Sequence, residues 1–208
     1  MIHFRVDMQD LTKMESALGM ARDKSGYVLR AAINATAKQT VTLLTEEANR
    51  EYQISQPSRI AKTMSLDKAT LRKLTATVTS KGRVNELYNF MVNPRRYVRG
   101  GGVPGGYSAH SRRGASYRNI ALKQNAAGGE DPYRAFVVKY KSGHKTLAQR
   151  RPDRRMKKNP DKEFVKTLFA PSVPNMLGNE KGVYGVVEPQ IYDLLQQNIQ
   201  EQIHRFLK

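Results

Sequence analysis

Apolar and polar residues alternate from Ile2 through Phe4 and Val6 to Asp7, which predicts a half-buried strand. The period then lengthens. From Leu11 to about Tyr52 the pattern is helical, with Asp10 placed to cap the start and breaks expected at Gly19 or Gly26. Leu29, Ile33, Ala37, Val41, Leu44, Ala48 and Tyr52 recur every three to four residues and form one apolar stripe. Nothing ionisable interrupts that stripe, so it reads as core packing. Ala31, Ala32, Ala35 and Ala37 are small enough to let a sheet or helix approach closely.

Pro57 suits the first position of a short helix running to Ile60. Strands are predicted over Met64 to Ala69 and over Leu74 to Thr79, the second rich in β-branched residues, with a turn at Lys81 and Gly82. Leu87, Tyr88, Phe90 and Met91 form an apolar cluster expected to pack on the core. Regular alternation resumes at Ala135 to Tyr140, turns at Ser142, Gly143 and His144, and returns over Thr146 to Arg150. A basic connector from Arg150 to Lys158 then leads to Phe164–Phe169. A terminal amphipathic helix, opened by Pro189, sets Ile191, Leu195, Ile199, Ile203 and Phe206 on one stripe. The order predicts an α+β fold: an antiparallel sheet packed by a long N-terminal helix and a C-terminal helix. One domain over 1–208 accounts for it, with a long Gly/Arg/Tyr-rich insertion over 97–132.

That insertion holds eight glycines, among them Gly100, Gly101, Gly102, Gly105 and Gly106, without a visible period. It reads as a flexible arm leaving the fold. Charge sharpens the picture. Residues 81–160 carry 19 Lys and Arg against 4 Asp and Glu, so almost all of the net +18 sits there. A stretch this basic implies a polyanionic partner, either nucleic acid or an acidic protein surface.

Composition excludes several chemistries. The chain has no cysteine, which removes disulfides, thiolate nucleophiles and Cys-based zinc sites and fits a cytoplasmic product. No apolar run approaches the ~20 residues of a membrane helix. Arg5, Asp7 and Asp10 occupy the region where a signal peptide would need its apolar stretch. His3, His110, His144 and His204 lie far apart without a metal-ligand spacing, and His110 and His144 are expected to face solvent. No phosphate-loop lysine follows the glycines. Neither a cofactor nor a metal is therefore expected, nor a catalytic residue. A metal-dependent nuclease built on Asp153, Glu163 and Lys166 is the sharpest enzymatic alternative, but Glu163 and Lys166 would point to opposite faces of a strand.

The candidate contact residues are cationic and aromatic. Arg95, Arg96, Tyr97, Arg99, Tyr107, Arg112, Arg113, Tyr117 and Arg118 interleave guanidinium and phenol groups in and beside the arm. Arg150, Arg151, Arg154 and Arg155 concentrate charge in the connector. Arginine neutralises phosphate and tyrosine stacks on bases, yet both are also enriched at protein interfaces. No DNA-reading motif accompanies them. A solvated loop kept soluble by its charge is the plainer alternative.

Three stretches together resemble the minor tail protein Z family of long-tailed phages. They are Ala31 to Gln39 on the long helix; Lys68 to Leu71 with Leu74 to Val78 and Leu87 to Phe90; and Thr167 to Met176 ahead of the terminal helix. Phe136 to Val138, Ser142 to His144, Gln149 and Arg150 look like that family's central hairpin, whereas the long insertion departs from its pattern. Pro171, Ser172 and Pro174 form a turn in which proline fixes φ and redirects the chain. The resemblance implies a non-enzymatic tail-completion protein, capping the tail tube at its head-proximal end and mediating tail-to-head joining. It implies a homo-oligomeric ring, hexameric in the family's manner, that meets tail-tube, tail-terminator and head-connector proteins. Such a ring would stand in a virion assembled in the bacterial cytoplasm, with genome DNA passing through its lumen. A free, sequence-nonspecific nucleic-acid-binding protein is the leading alternative function.

Overall fold

A computed structural model of the chain describes residues 2–5, 24–98, 103, 107–112 and 135–207. It has the expected α+β class, with helices and antiparallel strands. The described residues gather into two compact units.

The first unit combines β1 (Ile2–Arg5), α1 (Ser25–Glu51) up to Ala48, α2 (Ser58–Ala61), β2 (Met64–Asp67), β3 (Thr75–Ser80), α3 (Val173–Leu177) and α4 (Tyr184–Leu207). Its sheet has the order β1-β3-β2 and is antiparallel throughout, with Ile2 opposite Val78 and Leu66 opposite the same residue from the other side. Strand β3 turns Ala76 and Val78 inward, as its alternation predicts. Leu29, Ile33, Ala37, Leu44 and Ala48 of the predicted α1 stripe are all fully buried, and Val41 is half-buried. Each large aliphatic side chain so buried stabilises the fold by roughly 1.5–3 kcal/mol in transfer free energy.

Helices α1 and α4 pack against each other. The seam holds more than apolar groups. Asn198, 4% exposed, donates to Thr36 Oγ1 at 2.9 Å and to Gln39 Oε1 at 2.7 Å. Thr36 and Thr40 bury their hydroxyls by donating to the carbonyls of Ala32 and Thr36, one helical turn back. Asn34 anchors the loop after β2, donating to the Ala69 carbonyl and accepting from its N–H.

Helix α4 corrects the expected start at Pro189. It begins at Tyr184, and Pro189 lies inside it. Only one helical hydrogen bond is forfeited there, from position 189 to the Gly185 carbonyl. Gly185 itself packs so tightly on the Glu180 carbonyl that an added Cβ would collide with it. At the other end Ile203 is buried while Phe206 is exposed, so the apolar stripe stops one turn early. Pro174 likewise differs from the expected turn. It is the second residue of α3, where no N–H donor is needed, and its carbonyl accepts from Gly178 N–H at 3.0 Å.

The second unit contains residues 49–57 and 83–172: β4 (Asn85–Glu86), a 3-10 turn over Leu87–Asn89, β5 (Met91–Asn93), β6 (Ser108–His110), β7 (Ala135–Lys139), β8 (Lys145–Met156), β9 (Asn159–Thr167) and β10 (Phe169–Ala170). Strands pair as β10-β4, β5-β6 and β7-β8-β9, all antiparallel. Leu87, Phe90, Tyr107, Ala109, Val137, Leu147 and Leu168 form its core. Met91, expected to join them, is exposed. The β7–β8 turn needs glycine, because Gly143 has φ +83° while its N–H reaches the Tyr140 carbonyl.

Two expectations change in this unit. Part of the segment read as a flexible arm is folded: Tyr107 is 1% exposed and Ser108–His110 is a strand. The supposed basic connector is strand as well. Strand β8 continues through Arg150 to Met156, and β9 returns from Asn159. Among the described residues, no helix is long and apolar enough to cross a membrane.

Candidate functional site

The arginine-rich candidates divide into structural clamps and exposed charge. Arg95 is a clamp. Its guanidinium donates to Ser55 Oγ at 3.1 Å and to the Tyr88 carbonyl at 3.3 Å, and lies 5.0 Å from the centre of the Tyr88 ring. Tyr88 returns the contact by donating its hydroxyl to the Arg95 carbonyl at 2.9 Å. Arg112 pairs with Glu51 and lies over the Tyr52 ring. Tyr107 is a core residue whose hydroxyl donates to the Arg96 carbonyl at 3.1 Å, and burial pushes that phenol above its ordinary pKa. Arg96 and Tyr97 have exposed side chains. Arg99, Arg113, Tyr117 and Arg118 lie outside the described residues.

Pro171 and Ser172 follow β10, where the Pro171 carbonyl accepts from Asn85 Nδ2 at 2.8 Å. They therefore fix the end of the β4–β10 pair, in keeping with a structural turn.

The exposed charge lies on β8 and β9. Strand β7 pairs only with Lys145 to Gln149, so beyond Gln149 the β8–β9 pair continues as a two-stranded ribbon. In register, Gln149 faces Lys166, Arg150 faces Val165 and Arg151 faces Phe164. The register then shifts, and Arg155 faces Glu163. Because side chains alternate between faces, Lys162, Phe164, Lys166 and Arg151 share one face. Lys162, Phe164 and Lys166 are its exposed members on β9, while Glu163 and Val165 between them are half-buried.

The opposite face is electrostatically mixed. Arg150 lies 5.1 Å from the centre of the Phe136 ring, and Arg155 stands opposite Glu163. Arg154 is exposed beside the register shift, and Lys157 and Lys158 form the exposed tip. On the lysine face, Arg151 makes a two-pronged bond to Asp153, both contacts 3.0 Å, which holds the Asp153 carboxyl below its ordinary pKa. The ribbon is thus a platform of separate cations with one aromatic among them.

Sequence reasoning did not single out Lys162, Phe164 and Lys166, which the fold exposes together on one strand face. Their spacing of two, with an aromatic between lysines, was the available signal.

The arrangement offers no constellation for bond chemistry among these residues. Glu163 and Lys166 take opposite faces of β9, as their spacing predicts. Among the described residues, no three His, Asp or Glu side chains gather to hold a metal ion. His144 is exposed, stacks on Tyr140 at 5.8 Å and meets the Glu86 carboxylate at 3.1 Å. His110 is half-buried in β6 rather than solvated in a loop, and His204 is exposed on α4.

The first unit holds a pocket of about 230 Å³ lined by Leu44, Met64, Val78, Pro174, Leu177 and Tyr184. Tyr184 donates to Glu188 at 3.0 Å, and burial followed by that carboxylate raises its pKa. Ser80 also lines the pocket, its hydroxyl 3.0 Å from that of Thr63. No model of a known protein family matches the chain, and no curated protein or solved structure matches it.

Proposed function

We propose that the chain is a structural virion protein of a phage tail. It completes or caps the tail tube at its head-proximal end and helps join tail to head, working as a homo-oligomeric ring without catalytic chemistry. One observation carries this reading. The stretches that resemble the minor tail protein Z family coincide with folded scaffold: Ala32, Ile33 and Ala37 in α1, Val78 in β3, Leu87 and Phe90, and Leu168 to Met176. The resembling stretches thus include buried residues of the fold as well as loop positions. The exposed cations of β8 and β9 suit a subunit beside a polyanion, such as genome DNA in a ring's lumen.

Light scattering on the purified chain, with negative-stain microscopy of the chain mixed with tail tubes, tests the proposal. Rings or capped tube ends are expected, and tails made without the chain should fail to join heads. A chain that stays monomeric and never associates with tubes overturns it. The β8–β9 ribbon specifically favours one other reading, a free nucleic-acid-binding protein. That reading requires tight duplex binding by the monomer and no affinity for tubes.

A further inference from the structure

We propose that the ribbon face bearing Lys162, Phe164 and Lys166, with Lys157 and Lys158 at its tip, docks on the phosphate backbone of double-stranded nucleic acid without reading sequence. Three observations converge on it. First, the ribbon is open. Beyond Gln149 no third described strand flanks β8, and the residues of the face and tip are exposed. A two-stranded β-ribbon is one of the elements that fit the DNA major groove, about 12 Å wide.

Second, charge is segregated. Residues 150–166 carry eight Lys and Arg against three Asp and Glu. Asp153 is engaged by Arg151, while Asp161 and Glu163, two residues apart on β9, share the mixed face, with Glu163 opposite Arg155. Lys162 and Lys166, four residues apart on one strand, stand about 13 Å from each other. Phe164 lies midway, where it can cover sugar edges between two phosphate contacts.

Third, Arg151 on this face is paired with Asp153, and the remaining cations of the face and tip are lysines. Lysine is depleted at protein–protein interfaces, which disfavours an acidic protein as the occupant. It is also a mobile point charge rather than a planar fork, so it follows a phosphate chain but does not discriminate bases. Arg150 is stacked over Phe136 on the opposite face.

The test is fluorescence anisotropy of the full chain with a labelled short duplex over a series of salt concentrations. Two double variants, Lys162→Gln/Lys166→Gln and Lys157→Gln/Lys158→Gln, are compared with Lys68→Gln/Lys73→Gln, an equal charge loss on exposed residues of the first unit. Each ribbon variant should lower the slope of log K against log salt by about 1.8, from a loss of about 0.9 per phosphate contact. Duplexes of unrelated sequence should be affected alike, and the first-unit variant should keep the wild-type slope.

Circular dichroism confirms that the variants fold. Ribbon variants that bind with the wild-type slope overturn the proposal. So does equal loss in the first-unit control, or a single strand preferred to the duplex and released by Phe164→Ala. Competition by polyglutamate at matched charge would transfer the face to an acidic protein partner and overturn it as well. Light scattering on the same samples reports assembly separately. Rings with an inert ribbon would sink this inference alone, and a duplex-binding monomer would sink the tail reading alone.

Discussion

The two units of this protein reach stability by different routes. The first rests on two long helices whose buried stripes repeat every three to four residues, closed by a three-stranded sheet. The second rests on many short strands, and its core is assembled from residues distant in sequence, among them Leu87, Tyr107, Leu147 and Leu168. Local periodicity therefore marks the core of the first unit, while only pairing marks the core of the second. The second unit also extends the charged ribbon, which contributes little to any core. Stability and candidate function are consequently carried by separable sets of residues within it.

The sharpest way to break this contrast is to remove a piece that looks like linker. Deleting residues 98–130 takes out Tyr107, Ala109 and the strand paired with Met91–Asn93. A free arm would tolerate the loss. The structure predicts instead that amides near Leu87, Phe90 and Leu147 lose protection in hydrogen exchange. Unchanged protection there would return the whole segment to linker status.

Next in size is a single truncation in the first unit. Ile33 is fully buried in the N-terminal half of the α1 stripe. Ile33→Ala should cost about 2–5 kcal/mol, read as a lowered urea midpoint with unchanged m-value. A cost below about 1 kcal/mol would mean that the site collapses around the missing atoms and that the stripe is loosely packed.

These cases show how legibility depended on the physics of each region. The α1 and α4 stripes were readable because a helix repeats its buried face locally. Thr36, Thr40 and Asn198 were not foreseen in that seam, since polar residues register as surface unless their partners are known. Here two hydroxyls bond one turn back and Asn198 reaches across from α4.

The fold class and most strands of the sheet were legible, but the extent of β8 was not. Its distal half is solvated on both faces, so no apolar alternation exists to mark it. Glycines around Tyr107 hid β6 in the same way, because a composition dominated by breakers masks a three-residue strand. Of the candidate contacts, the connector arginines Arg150, Arg151, Arg154 and Arg155 lie in strand β8, not in a linker. Arg95 and Tyr107 make structural bonds, Arg95 to Ser55 forty residues away and Tyr107 to the Arg96 carbonyl eleven residues away, that residue type alone does not announce.

A smaller effect separates burial from hydrogen bonding at Tyr107. Tyr107→Phe keeps the ring but leaves the Arg96 carbonyl without its donor, a cost of about 0.5–1.5 kcal/mol near neutral pH. The pH dependence has a definite sign. Burial raises the phenol pKa in the folded chain above its unfolded value near 10. Below about pH 10 both states hold the proton and the stability is fully present. As pH rises toward the folded pKa, the unfolded chain ionises first and the wild type loses stability that the phenylalanine variant does not lose. Urea titrations on either side of that pH should show the wild-type advantage shrinking. An advantage independent of pH would mean that the ring site opens readily to water.

The smallest stability effect should come from the ribbon, and its smallness is the informative part. Lys162 and Lys166 are exposed, make no described hydrogen bond, and face away from the half-buried Glu163 and Val165. Replacing both by glutamine should change unfolding free energy by no more than about 0.5 kcal/mol per site. Removing like charges from a strongly cationic segment could even stabilise the chain slightly, since self-repulsion falls. Retention on immobilised duplex should nevertheless drop under the same conditions. A stability loss comparable to that of Ile33→Ala would show instead that these lysines hold the ribbon together, and the division between scaffold and contact surface within the second unit would fail.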